Sequence, residues 1–465
     1  MGNPHTGSRD IGPPRESVEP AEIPETPQNG YTDQENQGTE AAGQDANGGS
    51  DWRTGYRDVI AVGEFRALWL AHALSMVGNY LLNLAVSVLV FQQTESALAA
   101  GFTLGLTFLP HVIGGPLLSG LADLFPRRRV ILISDVVRAV LVAMISIPGL
   151  PLWLTWILLF CSILPMVPFS AARAALMSEI VQGERYVAGS AIINLTSHVG
   201  TLVGLVVGGA IVTLLDAHTT VLCNALTYVA SAIIIFVGVR ARPAPIQEST
   251  SEGSGRLRLW EVTAGGARLV FGDPRLRTLG LFAWLAGFYM VPYGLANPLA
   301  AQLDRGAAAA GLIMAGPAMG AVLGGFVLTR LISPAPRMRL IGPLAIAASL
   351  PLLGWLAQPP LWVMVALLVV SGACASYQFV ANATFVLCVP PDGRGLAFGL
   401  VAAGLQAAQG VGIVLAGLLA EVVSLNIVIT IAALCGTLGA VALTLPWSRL
   451  YHGTIELMYA SEGAP

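Results

Sequence analysis

Asn79 and Asn83 stand one helical turn apart in an apolar stretch, and 210 positions further on Tyr289 and Tyr293 repeat the spacing. Amides and phenols offer hydrogen bonds without charge. Residues four apart share one face of a helix, so the two stripes would wall a common space if their helices faced each other. Trp284, Phe288 and Asn297 extend the second stripe, and Tyr377, Gln378, Asn382, Gln406 and Gln409 add the same chemistry from further along the chain. A space walled this way is aromatic, amide-rich and nearly uncharged. It suits an amphiphilic, neutral or weakly charged organic molecule better than a sugar phosphate or an amino acid. The alternative is that the amides tie helix to helix through hydrogen bonds, worth about 0.6 kcal/mol each.

The elements that carry these residues are set by composition. The chain of 465 residues is 55% hydrophobic and only 11% charged, with a mean hydropathy of +0.70. Soluble domains hold about 25% charged residues, so lipid must be the solvent for most of this chain. All 24 basic residues are arginine. They are scattered through turns rather than gathered in one patch, which excludes nucleic-acid binding. The first fifty residues hold nine acidic side chains against Arg9 and Arg15, a net of −7. With −3 overall, the remainder carries +4 (−3 + 7).

A membrane-crossing helix needs about 20 mostly apolar residues. That rule places twelve spans near 67–91, 97–120, 129–149, 152–173, 187–214, 219–239, 278–301, 307–330, 339–357, 361–388, 396–420 and 425–447. The fold class is all-α: a polytopic membrane protein of two pseudo-symmetric six-helix bundles. The turns after even-numbered spans hold the arginines, and those after odd-numbered spans hold Arg305 alone. The positive-inside rule then puts both termini in the cytoplasm of a cell whose plasma (inner) membrane the chain crosses. Five regions follow: an acidic tail, 1–58, too polar to order itself; a bundle over 59–239; a linker over 240–277; a second bundle over 278–447; and a tail, 448–465. In the linker, Leu257–Phe271 has apolar residues near helical spacing. It is either an amphipathic helix on the membrane face or an ordered connection. The N-terminus carries no apolar core of a signal peptide.

Gly101–Arg129 and Gly311–Arg339 are two copies of one pattern at the same offset of 210. Gly101, Gly114, Gly115, Leu121, Pro126, Arg127 and Arg129 fall on Gly311, Gly324, Gly325, Leu331, Pro336, Arg337 and Arg339. Internal duplication of a hydrophobic chain is how secondary transporters are built.

Few ionisable residues lie within the spans. Asp135 and Arg138, three apart, can pair on one helix face. Arg173 ends span 4 near the same depth, and Asp123, Arg127 and Arg128 occupy the turn before span 3. Together they read as one cytoplasmic gate latch. His72, His111 and His198 lie within spans 1, 2 and 5. They are either neutral packing residues or proton carriers, since histidine titrates near neutrality. Asp135 is the best-placed carboxylate for carrying a proton. The five cysteines have no metal-ligand spacing, and their odd number argues against a disulfide framework. No phosphate-cradling motif, HExxH pattern or nucleophile–base pair is present. The reading is a chain that is not an enzyme and needs no cofactor or metal, driven by a gradient rather than by bound nucleotide.

The turn Gly120-Leu-Ala-Asp-Leu-Phe-Pro-Arg-Arg-Arg129 resembles the signature between helices 2 and 3 of the major facilitator superfamily. In the second copy Arg330 and Ser333 stand where that signature has glycine and aspartate. The run Gly200-Thr-Leu-Val-Gly204-Leu-Val-Val-Gly208-Gly209 is similar to the glycine-rich motif of that superfamily's antiporters, with Leu205 in place of its proline. Small residues four apart also let helices approach closely. Phe65–Gly101 and Ala171–Val181 resemble the enterobactin-exporter and macrolide-efflux branch. Ser75, Gly78, Thr94 and Ser96 match its pattern, but Asn79 replaces its aspartate and cannot carry a proton.

The resemblance implies efflux of a hydrophobic or amphiphilic drug or natural product by alternating access, with protons as the coupling ion. Its partners are then a small-molecule substrate and membrane lipid, with no oligomer required. Two alternatives stand beside it: uptake or facilitated diffusion of a small metabolite, and a non-transporting membrane sensor or assembly protein of the same fold.

Overall fold

The computed structural model describes residues 2, 52–118, 121–242, 265–390 and 393–462, and among them there is no strand. Eleven of the described helical stretches are long and apolar enough to cross a membrane. The twelfth, span 3, is the 19-residue helix Arg127–Ile145, whose three leading arginines, Asp135 and Arg138 lower its hydropathy. The chain is thus an all-α polytopic membrane protein of twelve spans.

Spans 1, 5 and 6 are single helices, Gly63–Thr94, Glu184–Leu215 and Ala217–Gly238. Span 2 breaks into Ala97–Leu106 and Leu109–Leu118, and span 4 into Leu152–Ile163 and Met166–Ile180. Span 7 is the most interrupted, as Pro274–Trp284, Ala286–Tyr289, Val291–Gly294 and Ala296–Gln302. Span 10 divides into Leu361–Ala375 and Tyr377–Cys388. Span 9 is Pro334–Ser349 followed by the 3-10 segment Leu350–Ala357, while spans 8, 11 and 12 are Ala307–Leu331, Arg394–Ala420 and Leu425–Glu462. Pro110, Pro165, Pro292 and Pro298 sit at the breaks in spans 2, 4 and 7. Proline lacks an N–H and its ring collides with the carbonyl four residues back. Broken backbone at membrane depth is tolerated where it lines a cavity or is covered by protein.

In the first half, span 6 packs on spans 1 and 3, and span 5 on span 1. In the second, span 8 packs on span 10 and span 12 on span 9. The halves meet along two seams, span 2 with span 11 and span 5 with span 8. The seams are copies of each other. A methyl on Gly101 would lie 3.5 Å from Gly417 Cα, and one on Gly311 would lie 3.2 Å from Gly209 Cα. Gly105 and Gly410 face each other across the first seam, where a methyl on either would come within 3.0 Å of the other's carbonyl oxygen or closer.

Three boundaries differ from expectation. A helix already spans Trp52–Ala61 and buries Val59 completely, so order begins before residue 58. Earlier acidic-tail residues fall outside the described ones, apart from residue 2. Residues 265–272 are helical and bury Val270, with Gly266 against the Leu396 carbonyl. The remainder of the expected amphipathic stretch lies outside the described residues. Span 12 does not stop at 447 but continues as helix to Glu462 through Pro446.

Candidate functional site

A cavity of ≈ 390 Å³ lies between the halves, within the range of small-molecule sites. Asn79 and Asn83 reach it from span 1, Tyr289 and Tyr293 from span 7, Gln378 from span 10, and Gln406 and Gln409 from span 11. The stripes proposed from their spacing therefore do share one space. The cavity sits where the spans break: Thr107, Phe108 and His111 belong to the break in span 2, Ile163 and Met166 to that in span 4, and Phe379 to that in span 10. Gln378 also donates to the Tyr289 hydroxyl, joining spans 10 and 7.

Five expected wall residues lie elsewhere. Trp284 donates from its indole to the Val401 carbonyl at 3.1 Å, tying span 7 to span 11. Phe288 is 37% exposed and lies against Gly436 of span 12. Tyr377 is buried and donates to the Phe282 carbonyl at 2.6 Å. Asn382 lines a smaller pocket between spans 7, 10 and 11. Asn297 donates to Ser87 at 2.7 Å, in the contact between spans 1 and 7. The i, i+4 argument fixed a helix face at each site, but these five lie on other faces or other levels.

Asn79 has two roles. Its amide nitrogen is 3.4 Å from the Met166 sulfur on the cavity wall. Its oxygen accepts from Arg138, and from the Tyr228 hydroxyl at 2.9 Å. Arg138 is fully enclosed: it donates to Ser75 at 3.0 Å and Tyr228 at 2.7 Å, and its guanidinium lies 4.0 Å from the Tyr228 ring centroid. Asp135 stands 3.9 Å from it and accepts from Ser231 at 2.6 Å. Asp135 Oδ1 and Arg138 Nε have no hydrogen-bond partner. A buried charge pair with spare capacity thus connects to the cavity through one amide.

The single expected latch resolves into two clusters. Arg127 bonds Glu179 and the Ala175 carbonyl, and Arg128 bonds the Phe236 carbonyl. Glu64 and Glu179 complete this web with Arg242, at 2.6 Å and 3.7 Å. Asp135 lies eight residues further along span 3, about 12 Å of helix rise, and its partners are Ser231 on span 6 and Arg138 on its own helix. Among the described residues, no hydrogen bond or ion pair of Arg127, Arg128, Asp135 or Arg138 crosses between the halves. Asp123 belongs to the helix Leu121–Leu124, but its side chain is not among those described. Arg173 has no hydrogen-bond partner at its buried Nε. Of the histidines, His111 lines the cavity, while His72 is buried with Nε2 3.0 Å from the Ser197 hydroxyl. His198 is exposed and meets Phe379 edge-on across the halves at 5.8 Å.

The span 5 glycines are packing residues. Gly200, Gly204 and Gly208 take Met76, the Val77 carbonyl and Leu81 of span 1 against their backbone, and Gly209 takes span 8 at Ala307 and Ala308. Small residues permit this approach.

Sequence reasoning missed Met76, Met166, Met290 and Met314 on the cavity wall, and Tyr228 and Ser231 behind it. The polar series Asn224, Tyr228, Ser231 at helical spacing was the available signal for span 6. The methionines gave none, because apolar residues look alike in a membrane span. Methionine suits a wall that accepts varied shapes.

The family model described as Major Facilitator Superfamily matches residues 68–357 and again 278–453. Macrolide efflux protein A of Streptococcus pyogenes is 22% identical over 399 residues, covering 80% of this chain and 95% of that protein. Among solved structures, the nucleoside transporter NupG superposes with a TM-score of 0.65 at 14% identity, over 83% of this chain and 99% of that one. A bacterial homolog of the human lysosomal transporter Spinster, inward-facing and unoccupied, gives 0.59 at 15% identity, over 86% and 98%. A POT family transporter holding a thioalcohol-conjugated peptide gives 0.65 at 11% identity, over 83% and 96%.

Proposed function

The chain belongs to the Major Facilitator Superfamily, and from that premise we propose that it exports an amphiphilic, neutral or weakly charged organic molecule by proton-driven alternating access. It is a multi-pass membrane transporter and not an enzyme. The observation that carries the export reading is the cavity: methionine, tyrosine and amide side chains drawn from both halves, enclosed by the breaks in four spans. The similarity to the macrolide efflux protein of Streptococcus pyogenes favours export over uptake. The arginine-rich turns favour a cytoplasmic location for both termini.

The close backbone approaches between the halves at Gly101, Gly105, Gly209 and Gly311 lie toward the turns after odd-numbered spans. With that end outside, the cavity faces inward, ready to load from the cytoplasm. For coupling, Asp135 is the proton site of this reading. A proton on Asp135 removes the charge that holds Arg138 from one side, leaving Ser75, Asn79 and Tyr228 as its acceptors. Since Asn79 also faces the cavity, protonation and substrate would compete through one guanidinium. His111, on the cavity wall, is the second coupling candidate.

The test is accumulation of macrolides and amphiphilic dyes in an efflux-deficient bacterial host expressing the chain, with and without a protonophore. Lower accumulation that the protonophore abolishes is expected. Unchanged accumulation across the panel, with the protein present in the membrane, would overturn the reading.

A further inference from the structure

Glu421 follows span 11, on the second half, yet its carboxylate belongs to the first half. Its Oε1 accepts from the Ser96 hydroxyl at 2.7 Å and from the Leu98 backbone N–H at 3.0 Å. Ser96 is the N-cap of span 2, and its own oxygen accepts from Ala99 N–H at 3.1 Å. The start of span 2 is therefore capped twice, once by its own serine and once by a carboxylate from the other half.

Locally, Glu421 is misplaced. A helix C-terminus carries partial negative charge, and a carboxylate there is disfavoured. A helix N-terminus attracts one, because its first N–H groups lack intrahelical partners. The position makes sense only when span 2 is docked on span 11. The glycine seam permits that docking: a methyl on Gly417 would lie 3.2 Å from the Ala97 carbonyl oxygen.

Among the described residues, the second seam has no such device. At the repeat offset, Ser96 corresponds to Gly306, the N-cap of span 8, which makes no side-chain cap bond. Offset by the 208 positions that relate Gly209 to Gly417, Glu421 corresponds to Thr213, whose hydroxyl bonds its own helix at the Gly209 carbonyl. One seam is bare packing and the other is latched.

We propose that Glu421 is a positioning residue of the transport cycle: it latches span 11 to the start of span 2 when this end is closed, and must release Ser96 and Leu98 for this end to open. The inference rests on the alternating-access reading above. The Ser96 hydroxyl, then the Leu98 N–H, hold the Glu421 carboxyl below the ordinary glutamate range. These bonds exist only in the closed arrangement, so the latch is complete above that ordinary range and is lost as pH falls through the lowered one. Among the described residues Ser96 and Leu98 are the only partners of the carboxylate. Glu95, just before Ser96, is the nearest titratable group on the facing element and has the same charge.

The experiment is a distance measurement between spin labels at Gln93→Cys and Ser424→Cys, both exposed, in the full chain lacking its five native cysteines and reconstituted in lipid. Glu421→Ala is expected to raise the open-to-closed ratio about three- to tenfold. Glu421→Gln, which keeps an acceptor but loses the charge, and Ser96→Ala, which loses one bond, should fall between. Lowering the pH from 7 to 4 should move the wild type further toward the open distance than it moves Glu421→Ala, whose remaining response is that of Asp135 and His111; equal shifts in the two would overturn the charge of Glu421 as the latch. Two distances in the wild type with unchanged proportions in all three variants would overturn the latch alone. A single distance in every variant, with and without erythromycin, would overturn the latch and the alternating-access reading together.

Discussion

Asn297 donates a buried hydrogen bond of 2.7 Å to the Ser87 hydroxyl, and the two residues are 210 positions apart. That separation is the offset of the internal repeat, so each residue is the other's counterpart in the opposite half. A residue that touches its own counterpart must lie near the axis relating the two copies. The bond therefore marks where spans 1 and 7 cross that axis, between the cavity and the latched end.

Removing this bond should loosen the closed arrangement modestly. A double-mutant cycle of Ser87→Ala and Asn297→Ala is expected to give a coupling of about 0.6 kcal/mol, as for other bonds between membrane helices. Thermal unfolding of the four proteins in detergent measures it. A coupling of zero would mean that the contact is only proximity.

Cavity walls and lipid-facing walls can be told apart chemically. Cysteine at Asn83, Tyr293 or Gln409 in a cysteine-free background should react with a polar thiol reagent, and erythromycin should slow that reaction. Cysteine at Phe288, which lies against span 12, should not be slowed by erythromycin. Equal behaviour at all four positions would remove the cavity as the binding site.

The buried pair should fail asymmetrically. Asp135→Ala leaves Arg138 enclosed without its anion and should cost about 3–5 kcal/mol, whereas Asp135→Leu with Arg138→Met should restore most of that stability. The restored protein should move substrate down its own gradient but ignore a pH gradient. Proteoliposome flux with and without an imposed pH step checks it. Retained pH dependence would exclude Asp135 as the proton site.

Asp216 gives a pH signature outside the membrane. It caps span 6, where the Thr219 N–H, then the Thr219 hydroxyl, hold its carboxyl below the ordinary aspartate value of 3.8. Because the folded value is the lower one, its contribution is complete above the ordinary value and is lost as pH falls through the lowered one. Thermal midpoints of wild type and Asp216→Ala should therefore differ at pH 7 and converge at acid pH. A constant difference across that range would rule out a role for the charge.

The pattern of apolar runs and arginine-bearing turns made the architecture legible, because lipid leaves a chain few solutions. Each span must bond its own backbone, and its length must match the bilayer. Span 3 shows the limit of that reading. Its arginines and its Asp135–Arg138 pair depress its hydropathy, yet position and periodicity still identify it. The repeat offset of 210 likewise predicted that Asn79 and Asn83 would face Tyr289 and Tyr293, since duplicated helices must present equivalent faces to a shared axis.

The end of Asn79 that faces the cavity was not legible, nor was its tie to Arg138. Tyr228 and Ser231 come from span 6, about 90 residues beyond span 3, and nothing local indicates that they close around Arg138 and Asp135 respectively. Glu421 was invisible for the same reason: its partners lie 325 and 323 positions away. Twelve spans, two copies and a polar cavity lining are legible before any fold is known, because they follow from periodicity and the demands of lipid on each segment alone. Tertiary structure decided which polar groups meet, where the helix breaks gather and which seam carries a latch. Those depend on contacts between segments far apart in the chain, and a hydrogen bond forms only where both partners have been brought within about 3 Å.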